Sequence, residues 1–493
     1  MTPRHPLGLR CADPLRAVGS RCDAARVTSQ RLRIEHPDVR STSRGPSTLR
    51  ALAIVCVFSG CNGSHPPRPA ARDAQSADPQ ASRSLIEEAT DRARVDPVVE
   101  RRDSCLSSLP ANLPASVRAV GRAFCAEYAQ HPSPGASLLI ANKDAVLLHL
   151  TQGHRCADAT DPTTPQTIFR WASVSKIVTA LTILVILERR DIPATRTIAP
   201  WFPELRGHWT ADVTIEQLLS HRAGLPALPE REPWSTPAAI FEWIKTRPPR
   251  HAPPQHAYQN VNYVLLGMLV ERLERRPWAE AVRAVVLDPL GLDAVWIDLE
   301  STPRGASSTR ARSCGHPGPD RAPIPLGRDY ELQLTRQPWL RPAGAISGDA
   351  AQLAVLGQRF LQTPPETALA RAATAMLRPV TPAQAEVTET PALKSPPSVA
   401  TFGGMYAEVT ASRAGEIPDA GSVQSVHLRG STPGFQAALW VFPAPTPAPN
   451  TDPASMETDA GHVLVLLDNS GTHYGATIAA ARQAWGQAWG QAR

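Results

Sequence analysis

The chain has 493 residues, 42% hydrophobic and 19% charged, the balance of a globular protein with room for one large domain or two to three average ones. Its net charge of +6 sits wholly in residues 1–60, which carry ten Arg against four acids, while the remaining 41 basic and 41 acidic side chains cancel. A protein that neutralises phosphates needs clustered positive charge on its folded part, so no nucleic-acid partner is expected.

In chain order, the leader comes first. Arg44 and Arg50 precede a short apolar run, Ala51 to Phe58, and then Ser59-Gly60-Cys61. This is the layout of a bacterial secretory signal, and the run is too short to span a bilayer as a helix. Small residues before a cysteine resemble a lipobox, although Phe58 stands where Leu is usual. Cys61 would then be lipidated and anchor an exported protein to the cell envelope, as a periplasmic lipoprotein of the inner or outer membrane. Residues 1–40 resemble no usual signal peptide and fit a start codon assigned too early.

Residues 61–115 begin as a polar, Pro- and Ala-rich tether and end in a short helical segment. The folded domain is expected over 116–493. Its opening run, "PASVRAVGRAFCAEYAQ", has helical periodicity. Two apolar runs follow, "GASLLIA" (135–141) and "AVLLHLT" (145–151), separated by "NKD", a hairpin signal. "KIVTALTILVILERR" (176–190) is apolar on nearly every side, as expected of a centrally buried helix. A largely helical lobe is expected over about 191–345, including "TIEQLLSH", "NVNYVLLGMLVERLERR" and "WAEAVRAVVL". "ISGDAAQLAVLGQRFL" adds a helix with Ser347 or Asp349 as N-cap. Residues 363–400 read as loop with a short helix. Three or four strands follow, in "GMYAEVT", "SVHLRG", "FQAALWVF" and "HVLVLLDN", with a loop insertion before the last, and then a final helix. Strands at both ends with helices between predict an α+β fold: one antiparallel sheet flanked by N- and C-terminal helices, plus the helical lobe.

Of eight cysteines, Cys11, Cys22, Cys56 and Cys61 lie in the leader or at its end. Cys105, Cys125, Cys156 and Cys314 remain, an even number that suits an oxidising compartment. Cys105–Cys125 with Cys156–Cys314 is one of three pairings. No C-x-x-C occurs, and His149, His154, His251 and His256 show no ligand spacing, so no metal is implied. Neither nucleotide-binding glycine loops nor H-E-x-x-H are present, and no cofactor is expected.

The chain holds only four lysines, and one of them, Lys176, falls three residues after Ser173 in "FRWASVSKIVTA". A serine hydroxyl needs an adjacent base to act as a nucleophile, and a lysine one helical turn on lies along the same face. Burial lowers a lysine's pKa towards the range where it accepts a proton. The bland alternatives are a helix N-cap for Ser173 and a snorkelling side chain for Lys176.

Four segments together resemble the penicillin-recognising serine hydrolases, the group of class C β-lactamases, D-alanyl-D-alanine carboxypeptidases and related esterases. They are "TIFRWASVSKIVTA", "VTIEQLLSHRAGLP" (213–226), "YQNVNYVLLGMLVE" (258–271) and "RPAGAISGDAAQLAVLGQRFL" (341–361). The resemblance implies a β-lactamase/transpeptidase-like fold from about Pro132 onward and an acyl-enzyme on Ser173. It implies Tyr258 as a second base that protonates the leaving group, Asn260 as a partner of Lys176 and of the substrate amide, and a structural His221. Substrates implied are β-lactams, peptidoglycan stem peptides or small esters.

The family's site-facing strand reads Lys-Thr-Gly or His-x-Gly. Here "VHLRGSTPGF" keeps Gly430 and Ser431 in register, so the Ser431 and Ser173 N–H groups would form an oxyanion hole. The cationic position is Leu428. His427 and Arg429 are each one step out of phase, hence on the other face of a regular strand. Either a bulge near Gly430 swings His427 or Arg429 into the site, or the positive group is absent. The first reading of the chain is a serine hydrolase; the second is a binding or scaffold lipoprotein of the same fold with hydrolysis lost.

Overall fold

The computed structural model describes residues 96–156, 160–227, 236–251, 255–297, 312–316, 324–325, 338–362, 366–382, 397–409, 416–419, 422–444, 461–471 and 474–486. The leader, Cys61 and the tether up to residue 95 lie outside the described residues, as does most of the loop insertion before the last strand. The described residues fall in the unit Arg83–Arg493.

Apolar runs too continuous for simple alternation build the main sheet. Its strands are β1 (Gly135–Ala141) and β2 (Val146–Gly153) from the N-terminal hairpin. From the other end of the chain come β8 (Ser398–Ala400), β9 (Tyr406–Val409), β10 (Val423–Thr432), β11 (Phe435–Phe442) and β12 (His462–Asp468). The order is β2-β1-β12-β11-β10-β9-β8, with antiparallel pairing throughout. Both faces are covered, which explains the lack of alternation. Leu139, Leu439, Val441, Val465 and Leu467 join the large core shared with the helical lobe. Leu138, Ile140, Trp440, Phe442 and Leu466 pack with residues of the helix Ala115–Gln130 and of the C-terminal helix Gly475–Ala481.

The expected hairpin, the buried helix (Ser175–Arg189) and the terminal helices are all present. Asp349 caps the helix Ala350–Arg359, its Oδ1 accepting the Gln352 N–H at 2.9 Å. Ser347 instead lies in a strand, β7 (Ile346–Gly348), between β3 (Phe169–Arg170) and β4 (Trp296–Ile297). These strands and β8 are two or three residues long, too short to leave a periodic signal.

Of the three cysteine pairings, the structure takes Cys105–Cys125 and Cys156–Cys314. The first joins the helix Pro97–Ser107 to Ala115–Gln130. The second ties the chain after β2 to β5 (Cys314–Gly315), which pairs with β6 (Ile324–Pro325).

Candidate active site

Thirteen of the fifteen residues of the helix Ser175–Arg189 are buried. The chain enters it through a 3-10 turn, Ala172–Val174, with Ala172 at φ +47°, a left-handed conformation that costs a non-glycine residue of order 1–3 kcal/mol. β7 holds that turn from behind. Trp171 N donates to Ile346 O (2.9 Å), Trp171 Nε1 to Gly348 O (3.2 Å) and Ile346 N to Ser175 Oγ (3.0 Å). Ser173 is thereby presented at the start of a fixed helix. It is not an N-cap: the cap position is Val174, without a side-chain bond.

Lys176 does not snorkel, being fully buried. Its Nζ lies 3.0 Å from Ser173 Oγ and donates to Ala343 O at 2.7 Å. The rings of Tyr258 and Tyr263 flank it, with centroids at 5.0 and 5.8 Å. Burial lowers its pKa to about 7, because a charged amine loses its hydration there. A neutral amine that gives one N–H to Ala343 O keeps its lone pair for the Ser173 hydroxyl.

Tyr258 lies just before the helix Asn260–Glu274. Burial pushes its pKa well up, against a smaller pull downward from the Ser173 hydroxyl and a further rise from Tyr406. One environment thus drives the two groups beside Ser173 apart, Lys176 towards proton acceptor and Tyr258 towards proton donor. Asn260 is exposed at the first position of the helix, and Lys176 bonds to Ser173 and Ala343 rather than to it.

His221 is a turn residue at φ +56° whose carbonyl accepts the Ala257 N–H at 2.9 Å. Its Nδ1 faces two donors, Gln259 N (3.2 Å) and Asn262 Nδ2 (2.9 Å), which makes Nδ1 an acceptor and puts the ring proton on Nε2. Burial first, then the proximity of the basic groups of Lys176 and His256, which makes a further positive charge costly, holds it well below the usual imidazole range. Its ring packs on Tyr258 with centroids 4.4 Å apart. The structural role expected of His221 therefore includes fixing Tyr258.

On the opposite wall β10 passes the Ser173 turn at contact distance. A Cβ on Gly430 would lie 2.3 Å from Trp171 O and 2.8 Å from Ser173 N, so a side chain there would displace the strand. Pairing of β10 with β9 ends at His427 opposite Tyr406, leaving the edge from Leu428 onward without a β9 partner. Ser431 is exposed, its Oγ accepting from Gln436 Nε2 at 2.9 Å.

No bulge interrupts β10 near Gly430. The register with β11 runs unbroken from Val426 to Thr432, and the irregularity against β9 lies at Val423/Ser425. The two-residue pleat therefore holds. Leu428, 2% exposed, joins the core that includes Trp171 and Val174. His427 stacks on Trp440 at 4.3 Å, on the other face, and the Arg429 guanidinium also lies towards Trp440, at 6.0 Å. Both residues face away from Ser173, and the suggestion that a bulge turns them inward is corrected: Leu428 occupies the site-facing position.

The model of the family described as Beta-lactamase matches residues 120–483. The chain belongs to the beta-lactamase family. It is 29% identical over 179 residues to Esterase EstB of Burkholderia gladioli, covering 32% of this chain and 45% of that one. It is 25% identical over 166 residues to Protein flp of Staphylococcus aureus (strain NCTC 8325 / PS 47), covering 32% and 33%. These matches span less than half the length of either relative. Among solved structures, a D-alanine carboxypeptidase AmpC from Burkholderia cenocepacia aligns with TM-score 0.57 at 17% identity, over 76% of this chain and 99% of that one. A class C beta lactamase from Rhodobacter sphaeroides aligns with TM-score 0.56 at 17% identity, over 74% and 98%. These alignments show the β-lactamase/transpeptidase-like fold, a mixed α+β architecture, and the family is one of serine hydrolases.

Two features of the site escaped the sequence. The Ala343 carbonyl that holds Lys176 is backbone and leaves no residue signature. The Tyr263 hydroxyl lies between Leu219 O (3.1 Å) and Gly403 O (2.9 Å), either of which can take its single proton; it brings together three segments far apart in the chain and reads in sequence as another apolar helix residue.

Proposed function

We propose that the chain is an exported serine hydrolase that forms an acyl-enzyme on Ser173 and prefers small neutral esters. The observation that carries the reading is the buried Lys176 amine 3.0 Å from Ser173 Oγ. Neutral Lys176 takes the hydroxyl proton as Oγ attacks the ester carbonyl. The oxyanion is received by the N–H groups of Ser173 and Ser431, across the close approach at Gly430. Tyr258, held protonated by burial, gives its proton to the departing alkoxide and recovers one from Lys176. Water then enters by the same route in reverse and releases the acid.

Buried Leu428 supports the preference for neutral substrates, since no cation on that strand position awaits the carboxylate of a β-lactam or D-Ala peptide. The named esterase among the relatives supports it as well. Two disulfides favour export, with Cys61 as the lipid anchor that would hold the enzyme in the envelope.

Purified protein and Ser173→Ala are each mixed with p-nitrophenyl butyrate and with a fluorescent penicillin, and intact mass and product are followed. The expected result is a butyryl adduct and turnover in the wild type only, with weak penicillin labelling. Equal labelling of both proteins would sink the acyl-enzyme. A folded wild type that binds without turnover would select a binding or scaffold role instead, the reading that Leu428 also favours.

A further inference from the structure

A short helix, Arg341–Gly344, immediately precedes β7. Carbonyls in the last turn of a helix have no partner within it and must find one outside. Arg341 O takes the Ala345 N–H at 3.1 Å. The next two carbonyls are both met by side chains of the central helix Ser175–Arg189. Thr179 Oγ1 donates to Pro342 O and Lys176 Nζ to Ala343 O, each at 2.7 Å. Thr179 follows Lys176 by one helical turn, so the two side chains are neighbours on one face, and both are fully buried.

The turn that offers these carbonyls is held from two sides. The helix Asn260–Glu274 backs it so closely that a Cβ on Gly267 would fall 2.0 Å from Pro342 Cγ. Beyond it, Ile346 N donates to Ser175 Oγ at 3.0 Å. Neither carbonyl can swing out to water, and a buried carbonyl requires a donor.

The other groups around Lys176 carry no charge to hold a proton on it. The phenols of Tyr258 and Tyr263, whose rings flank the amine, are kept protonated by burial. His221 is kept neutral, also by burial first. No carboxylate among the described residues offsets the burial of the amine. The carbonyls of Pro342 and Ala343 are therefore the negative poles that favour an ammonium over an amine. The Thr179 hydroxyl occupies one of the two.

We propose that Thr179 is a positioning residue: its hydroxyl takes up the Pro342 carbonyl, so that Lys176 keeps a single carbonyl partner and a lone pair for Ser173. The effect on the amine stands without the hydrolase reading; its consequence for turnover rests on that reading.

The amine can be followed directly, because the chain has only four lysines. Protein labelled with carbon-13 at the lysine ε-carbon is titrated by NMR, and Lys176→Met assigns the resonance. The wild-type signal should titrate at about 7. Thr179→Val keeps the side-chain shape and removes the hydroxyl. It should raise that midpoint by about one pH unit, the size of one hydrogen bond to a charged group, and Thr179→Ser should restore it. An unchanged or lowered midpoint would overturn the proposal, and Thr179→Ala supplies the same comparison if the valine variant does not fold. With p-nitrophenyl butyrate, the rising limb of kcat/KM should move alkaline by the same amount while its plateau is kept. A hydroxyl that only braces the fold would lower the plateau and leave the limb in place. A moved lysine midpoint in a protein without turnover would sink the hydrolase reading and leave the role of Thr179 standing. Wild-type turnover with an unmoved midpoint would do the reverse.

Discussion

Replacing Lys176 with Met tests the central electrostatic claim without any substrate. Burial takes the amine from its ordinary 10.5 to about 7. The unfolded chain therefore binds a proton between those values that the folded chain does not, and wild-type stability must rise with pH across that window. At neutral pH, holding Lys176 against its ordinary pKa costs the fold about 4 kcal/mol. Met removes that cost but leaves Ala343 O without its donor, a loss of about 1–3 kcal/mol. The variant should then be more stable than wild type by about 1–3 kcal/mol at neutral pH. The advantage should shrink by about 2 kcal/mol between about pH 7 and about pH 9, as the unfolded lysine approaches its own pKa. Urea unfolding of both proteins across that range, under oxidising conditions, reads the difference directly, and groups common to both cancel. A difference that stays flat with pH would show that Lys176 is charged in the folded protein, and the proposed proton acceptor would go with it.

Gly430→Ala should lower kcat/KM for p-nitrophenyl butyrate about a hundredfold, because the new Cβ moves β10 off the Ser173 amide by a fraction of an ångström to one ångström. Urea unfolding should register only the usual overpacking loss of about 1–3 kcal/mol, and unchanged turnover would detach that strand from the reaction. The kcat/KM profile should rise with pH through about 7, where Lys176 gives up its proton; a profile falling through that range would reverse the assignment of acceptor and donor. Replacing Cys156 and Cys314 with Ser should cost about 2–5 kcal/mol in urea unfolding. Turnover should fall as well, since His316 N–H beside this bridge is shared between Gly434 O (3.2 Å), in the turn of the β10–β11 hairpin, and Asn469 O (2.8 Å), just after β12. Retained turnover would mean that the hairpin is held without it.

The sequence alone determined the elements whose periods repeat long enough to be read. The buried helix after Ser173 is apolar on all sides because it runs through the centre of the core. The hairpin of residues 135–153 and the long C-terminal strands carry runs of apolar residues bounded by turns. The S-x-x-K spacing, Tyr258 and Gly430 were legible because each depends on residue type and chain order. Leu428 was legible as well, since strand parity alone puts His427 and Arg429 on the far face. Only the tertiary structure decided whether a bulge would break that parity, which two cysteine pairs formed, and what surrounds Lys176. The amine's pKa depends on burial from every side and on the Ala343 carbonyl, 167 residues further along the chain. His221 likewise reaches Tyr258 only because a left-handed turn brings its ring back onto the start of the helix Asn260–Glu274. Local pattern fixes which groups are present, whereas the dielectric and the partners that set their protonation come from segments distant in sequence.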